Sequence, residues 1–274
     1  MSKRPAFFVA CEASQFLLKM TGRGLGTIYF SDKNFYMEGS MTDRPGGALA
    51  TRPLHFFWLA DCSGSMSVNG KIQALNNAIR EAIPHMQQVA NENPNAEVLV
   101  RAIKFSNGAQ WHISQPIPVN DFKWHDLTTE GTTSMGEALK LLAEQLKMPP
   151  MSDRALPPVI VLISDGQPTD DFIGGLQELL EKPWGKKAVR IAIAIGEDAD
   201  LDILQRFIGH PELKPLQANN AEQLVHYIKW VSTAVLQSAS SPVSQSVANS
   251  SAQTLNVPIP QLPDNDPSSA ADVW

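Results

Sequence analysis

From Pro53 onward, apolar and polar positions fall into blocks whose periods predict an ordered series of strands and helices. Leu54–Ala60 is apolar and aromatic almost throughout, the pattern of a strand buried on both faces. Polar residues follow. From about Lys71 the apolar positions Ile72, Leu75, Ala78, Ile79, Ile83 and Met86 share one face of a helix, with Pro84 placed to bend it. Val98–Phe105 predicts a second strand, and Trp111–Ile117 a third that pairs back on it. Ser134–Leu146 carries Met135, Ala138, Leu139, Leu142 and Leu146 at helical spacing. A Pro- and Met-containing link, 148–158, leads into the wholly apolar strand Val159–Ser164. Phe172–Leu180 reads as helix, Val189–Ile195 as strand, and Leu201–Ile208 and Ala221–Val235 as helices.

Strands alternating with helices at this spacing imply right-handed crossovers. The expected fold class is α/β: a doubly wound, mostly parallel central sheet with helices on both faces and one antiparallel strand. Ligands of such sheets bind at the carboxyl ends of the strands. The flanks differ in composition. Residues 1–50 form an N-terminal extension with a glycine-rich piece (Gly22, Gly24, Gly26) and a candidate strand at Thr27–Phe30, hence a small β element. The α/β domain is expected over 51–238. Residues 239–274 are rich in Ser, Pro, Asn and Gln, with three acids and no Lys or Arg, which predicts a disordered acidic tail.

Composition narrows the function classes. Of 274 residues 43% are hydrophobic and 18% charged, enough for a substantial core. A net charge of −6 argues against broad binding to nucleic acid or anionic lipid. No apolar run approaches the roughly 18–20 residues of a membrane helix. Two cysteines, Cys11 and Cys62, make no disulfide framework, and Glu12 interrupts the apolar start too early for a secretion signal. A cytoplasmic protein is expected.

The chemistry gathers after the strands. The first strand leads into Asp61-Cys62-Ser63-Gly64-Ser65, the strongest later strand into Ser164-Asp165-Gly166, and Gly131-Thr132-Thr133-Ser134 precedes a helix. Three loops thus carry two carboxylates and several hydroxyls toward one end of the sheet. Hard oxygen donors without a Cys/His cluster suit Mg²⁺, with Mn²⁺ or Ca²⁺ as alternatives. A shell only half filled by protein leaves a coordination position for the acidic side chain of a partner protein.

These three motifs, in this order over about 53–238, resemble the metal-ion-dependent adhesion site of von Willebrand factor A domains. The resemblance implies that Asp61, Ser63, Ser65, Thr133 and Asp165 hold the metal. Thr132 stands where glycine is common in the family and is the alternative ligand to Thr133. Met66, Thr132, Ser134 and Gln167, neighbours of those positions, are the expected partner contacts. The run Asp165-Gly166-Gln167-Pro168-Thr169-Asp170 is similar to that of the bacterial tellurium-resistance (TerY-like) branch. That similarity implies a stress or phage-defence setting with a protein kinase and a PP2C-type phosphatase as partners.

The expected function is therefore a non-enzymatic binding module. The rival is a metal-assisted phosphohydrolase with Asp61 as nucleophile. Against it, Ser63 stands where such enzymes carry a second carboxylate as general acid/base, and no lysine follows Asp165 in a phosphate-clamping place. Cys62 is expected to be a small buried thiol, and Asp170 and Asp171 to cap the helix starting near Phe172.

Overall fold

The computed structural model describes residues 27–31, 34–38 and 51–240, and the chain divides into two compact units at Ala50/Thr51. In the first unit, β1 (Thr27–Ser31) and β2 (Asn34–Glu38) pair antiparallel, with Thr27 opposite Glu38 and Ser31 opposite Asn34. The rest of 1–50, and 241–274 of the expected tail, lie outside the described residues.

The second unit is built on β3 (Arg52–Asp61), β4 (Ala96–Phe105), β5 (Ala109–Pro118), β6 (Val159–Ser164), β7 (Val189–Ile195) and β8 (Leu216–Ala218). They form one sheet in the order β5-β4-β3-β6-β7-β8. Every pairing is parallel except β4 with β5, which is antiparallel. The connecting helices are α1 (Lys71–Glu92), α2 (Met135–Ala143), α3 (Phe172–Glu181), α4 (Pro183–Lys187), α5 (Leu201–Ile208) and α6 (Ala221–Trp230). A π turn over Val231–Val235 continues α6 into α7 (Leu236–Ser240). The doubly wound α/β architecture is the one expected. The short α4 and edge strand β8 were not, because five and three residues are too few to show a period.

β3 shows why the sheet forms where it does. Its side chains alternate between two separate cores: Leu54, Phe56, Trp58 and Ala60 pack with α1 and α6 residues such as Leu75, Ile79 and Leu224. Phe57 and Leu59 pack on the other side with Leu139, Leu142 and Phe207. Each large aromatic or aliphatic side chain so buried contributes roughly 1.5–3 kcal/mol. Pro84 lies inside α1 without ending it; Ala82 and Met86 on either side are fully buried, so packing holds the helix together across the proline. No helix among the described residues is long and apolar enough to cross a membrane.

The topology places the site. β3 leads through α1 to β4 on one side, whereas β6 lies on the other side of β3. Chain direction around the sheet reverses between β3 and β6, and a crevice opens at their carboxyl ends. Ala60 pairs with Ile163, so Asp61 and Ser164 emerge side by side.

Candidate metal centre

Asp61 is fully buried at the end of β3, and both its oxygens accept hydrogen bonds. Oδ1 takes the Ser63 amide at 2.8 Å, and Oδ2 takes the Ser164 hydroxyl. The first bond folds the loop into a tight turn that returns Ser63 toward the carboxylate. Ser63 Oγ lies 2.9 Å from Ser65 Oγ, and Ser65 Oγ donates to Asp165 Oδ1 at 2.7 Å. Asp61, Ser63, Ser65 and Asp165 are thus joined in one hydrogen-bonded oxygen cluster across the β3–β6 crevice.

Thr133 approaches from a third loop. A Cβ added to Gly166 would lie 3.5 Å from Thr133 Oγ1 and 3.8 Å from Ser65 Oγ, so both hydroxyls converge on the space that this glycine leaves open. Thr132 faces elsewhere: its hydroxyl reaches Ser106 O and Asn107 Oδ1, both at 3.3 Å. Of the two threonines, Thr133 stands beside the cluster. Gly131 makes this bend with φ +69°, and the Asn107 side chain occupies the space that a Cβ there would need.

Two contacts expected with a partner are corrected by burial. Met66 is fully buried in the core beneath the Asp61 loop and has no surface to offer. Ser134 is 9% exposed at the N-cap of α2, and its amide donates to Ser106 O. Thr132 and Gln167 are exposed at the rim.

Four residues that the sequence reading did not assign to the metal centre complete the site. Ser164 anchors Asp61. Lys71, the first residue of α1, donates from Nζ to Asp165 Oδ2 at 2.9 Å. Thr169 Oγ1 accepts from the Thr133 amide at 3.2 Å, and the Thr169 amide donates to Thr133 O at 2.9 Å. Asp170 accepts from the Gly136 and Glu137 amides at 2.9 and 2.7 Å. Asp170 therefore caps α2, not the helix that follows it; only Asp171 caps α3, through the Gly174 amide at 2.9 Å. Thr169 and Asp170 together clamp the Thr133 loop against the β6 loop. The signal was present in the sequence, but caps between distant segments leave no local spacing to read.

Burial pushes the Asp61 carboxyl up to about 6, against the lowering effect of its Ser164 and Ser63 hydrogen bonds, with a smaller raising contribution from Asp165. Cys62, between the two ligand positions, is buried in the core, and burial pushes its thiol up to about 12, which keeps it protonated and unreactive.

The donor set fits a hard divalent ion. Two carboxylates and three hydroxyls converge, and among the described residues no group of three His, Cys, Asp or Glu side chains offers a rival centre.

A family model described as the von Willebrand factor type A domain matches residues 57–229. Solved structures share the fold at low identity. One is a von Willebrand factor type A protein from Catenulispora acidiphila: 16% identity, TM-score 0.52, 68% of this chain and 43% of that one. Another is the ArnB paralog VWA2 from Sulfolobus acidocaldarius: 19% identity, TM-score 0.50, 65% of this chain and 45% of that one. A third is proximal thread matrix protein 1 from the mussel byssus, described with a zinc-occupied MIDAS motif: 18% identity, TM-score 0.51, 66% of this chain and 47% of that one. The chain thus spans less than half the length of each. A comparison with curated proteins gave no match.

Proposed function

The chain belongs to the von Willebrand factor type A domain family, and from that premise we propose that it is a non-enzymatic binding module whose Asp61, Ser63, Ser65, Thr133 and Asp165 hold a divalent cation, Mg²⁺ first, that captures an acidic side chain of a partner protein. The observation that carries this reading is the hydrogen-bonded oxygen cluster at the β3–β6 switch point, with the Thr133 hydroxyl beside it. When bound, the ion supplies a positive centre that a partner's carboxylate ligates. The zinc-occupied MIDAS of the mussel protein supports a dication at the corresponding place.

The residues divide the work. Ser164 and the Ser63 amide hold Asp61 in one orientation. The Ser63, Ser65 and Thr133 hydroxyls offer neutral oxygens, which leave charge on the ion for an incoming acid. Thr169 and Asp170 fix the Thr133 loop, so little conformational entropy is lost when an ion is taken up. Exposed Thr132 and Gln167 lie at the rim, where a partner arrives.

The phosphohydrolase reading finds no support in this geometry. Asp61 is buried with both oxygens engaged in hydrogen bonds, an arrangement that suits a fixed ligand better than an attacking nucleophile. The Asp165–Asp170 run supports placement in the TerY-like branch, and with it a cytoplasmic stress or phage-defence complex containing a protein kinase and a PP2C-type phosphatase. Crosslinking mass spectrometry of the native complex tests the whole reading, with and without chelator and for Ser65→Ala. Crosslinks from the Thr132 and Gln167 loops to an acidic partner segment should vanish in both depleted cases. Crosslinks that persist with the ion removed overturn it.

A further inference from the structure

The oxygen cluster already contains a cation. Lys71 Nζ sits 2.9 Å from Asp165 Oδ2, and the two side chains are 6% and 0% exposed. Lysine is almost never buried unless paired, and here the pairing is with a carboxylate of the candidate metal centre. The backbone is shaped to produce this arrangement. Asn69 and Gly70 are consecutive left-handed residues, with φ of +53° and +73°, between the 3₁₀ turns after Ser63 and the start of α1. The Lys71 amide bonds back to the Met66 and Val68 carbonyls. A left-handed Asn is a strained choice that persists only where its surroundings impose it. The turn brings the lysine at the head of α1 back under the Asp61–Ser65 loop.

The charge balance follows. Asp61 and Asp165 alone would neutralise a dication. With Lys71 paired to Asp165, the empty cluster carries one net negative charge, and a bound dication would leave it one net positive charge. A site of that sign holds its ion less tightly but attracts an outside carboxylate more strongly.

We propose that Lys71 is a tethered competitor of the divalent ion: its ammonium occupies one oxygen of Asp165, lowers the intrinsic ion affinity of the site, and keeps a loaded site cationic and so selective for an acidic ligand. The proposal rests on the metal-binding reading above and assigns a specificity-determining residue to it.

The test is Mn²⁺ binding by the full chain without any partner, followed by calorimetry and by the electron paramagnetic resonance signal of free Mn²⁺. Wild type is compared with Lys71→Gln and Lys71→Arg. Glutamine retains a donor for Asp165 Oδ2 and so protects the fold, while arginine retains the charge. Lys71→Gln should bind Mn²⁺ about tenfold more tightly or better, as expected for removing a unit charge a few ångströms from the ion. Lys71→Arg should bind like wild type. A merely structural lysine would leave the Mn²⁺ affinity of folded Lys71→Gln unchanged or weaker, and that result, with wild type still binding, overturns this inference alone. Arginine behaving like glutamine also overturns it, because charge is then not the cause. Mn²⁺ binding by Lys71→Gln but not by wild type overturns the metal-binding reading of the native chain and, with it, the loaded cationic site proposed here. No binding by any of the three overturns both this inference and the metal-binding reading.

Discussion

The β3 loop and the β6 loop each bury a carboxylate at the same end of the sheet, yet they keep it in opposite ways. Asp61 is held by neutral donors alone, a backbone amide and the Ser164 hydroxyl, and its carboxyl is pushed up to about 6. Asp165 is held by the Ser65 hydroxyl and by an ammonium, in an ion pair closed from solvent. Hydrogen bonds to neutral groups orient a buried charge without cancelling it, whereas a buried cation does both. One loop therefore stores an uncompensated charge, which is where a dication gains most, and the other stores a balanced pair.

The largest expected effect breaks the balanced side. Asp165→Asn leaves Lys71 buried without a counter-charge and should destabilise the ion-free fold by about 3–5 kcal/mol. A thermal melt would register this as a drop of roughly 10 °C or more for a domain of this size. Asp61→Asn should do the opposite at neutral pH, because it removes a charge that burial disfavours. If both variants melt alike, the contrast between the loops is wrong.

The pH dependence sharpens the Asp61 side. Its folded carboxyl lies near 6 against an ordinary 3.8, so the folded state binds the proton more tightly than the unfolded chain does. The stability from this group is fully present below the unfolded value and is lost as pH rises through about 6. Relative to Asp61→Asn, ion-free wild type should lose about 3 kcal/mol between about pH 3 and pH 7. Denaturant melts of the pair at several pH values measure the difference, and saturating Mg²⁺ should flatten it. A difference independent of pH would mean that Asp61 is not the uncompensated group.

Smaller effects test the clamp that joins the third loop to the β6 loop. Asp170→Ala removes two caps from α2 and should cost about 1–2 kcal/mol, with weaker ion uptake as the Thr133 loop loosens. Asp171→Ala, which uncaps α3 only, should cost about 1 kcal/mol and leave ion affinity alone. The smallest expected effect is that of Thr132→Val, whose hydroxyl bonds away from the cluster: ion affinity should stay put, whereas Thr133→Val reduces it. Titration with Mn²⁺ should separate Asp170→Ala and Thr133→Val, which weaken uptake, from Asp171→Ala and Thr132→Val, which leave it unchanged.

Legibility in the sequence followed the range of the interactions. β3 and β6 announce themselves because a strand buried on both faces must be apolar at every position, and α1 because its buried face repeats every turn. Asp61, Ser63 and Ser65 lie within one turn, so their spacing is itself the signal. What escaped depends on contacts between distant segments. Lys71 lies 94 positions from Asp165, and Asp170 lies 34 from the amide it caps. Met66 escaped for a related reason: it directly follows Ser65 in sequence, yet packing with residues such as Ile72 and Leu75 of α1 buries it, and adjacency does not report that.

The most direct measurement is the anomalous scattering of Mn²⁺ in crystals of the full chain. One peak is expected in the β3–β6 crevice, within coordination distance of the Ser63 and Ser65 hydroxyls and bordered by Asp61, Thr133 and Asp165. An ordered crevice with no peak, or a peak only at some other part of the domain, would contradict the metal-binding reading.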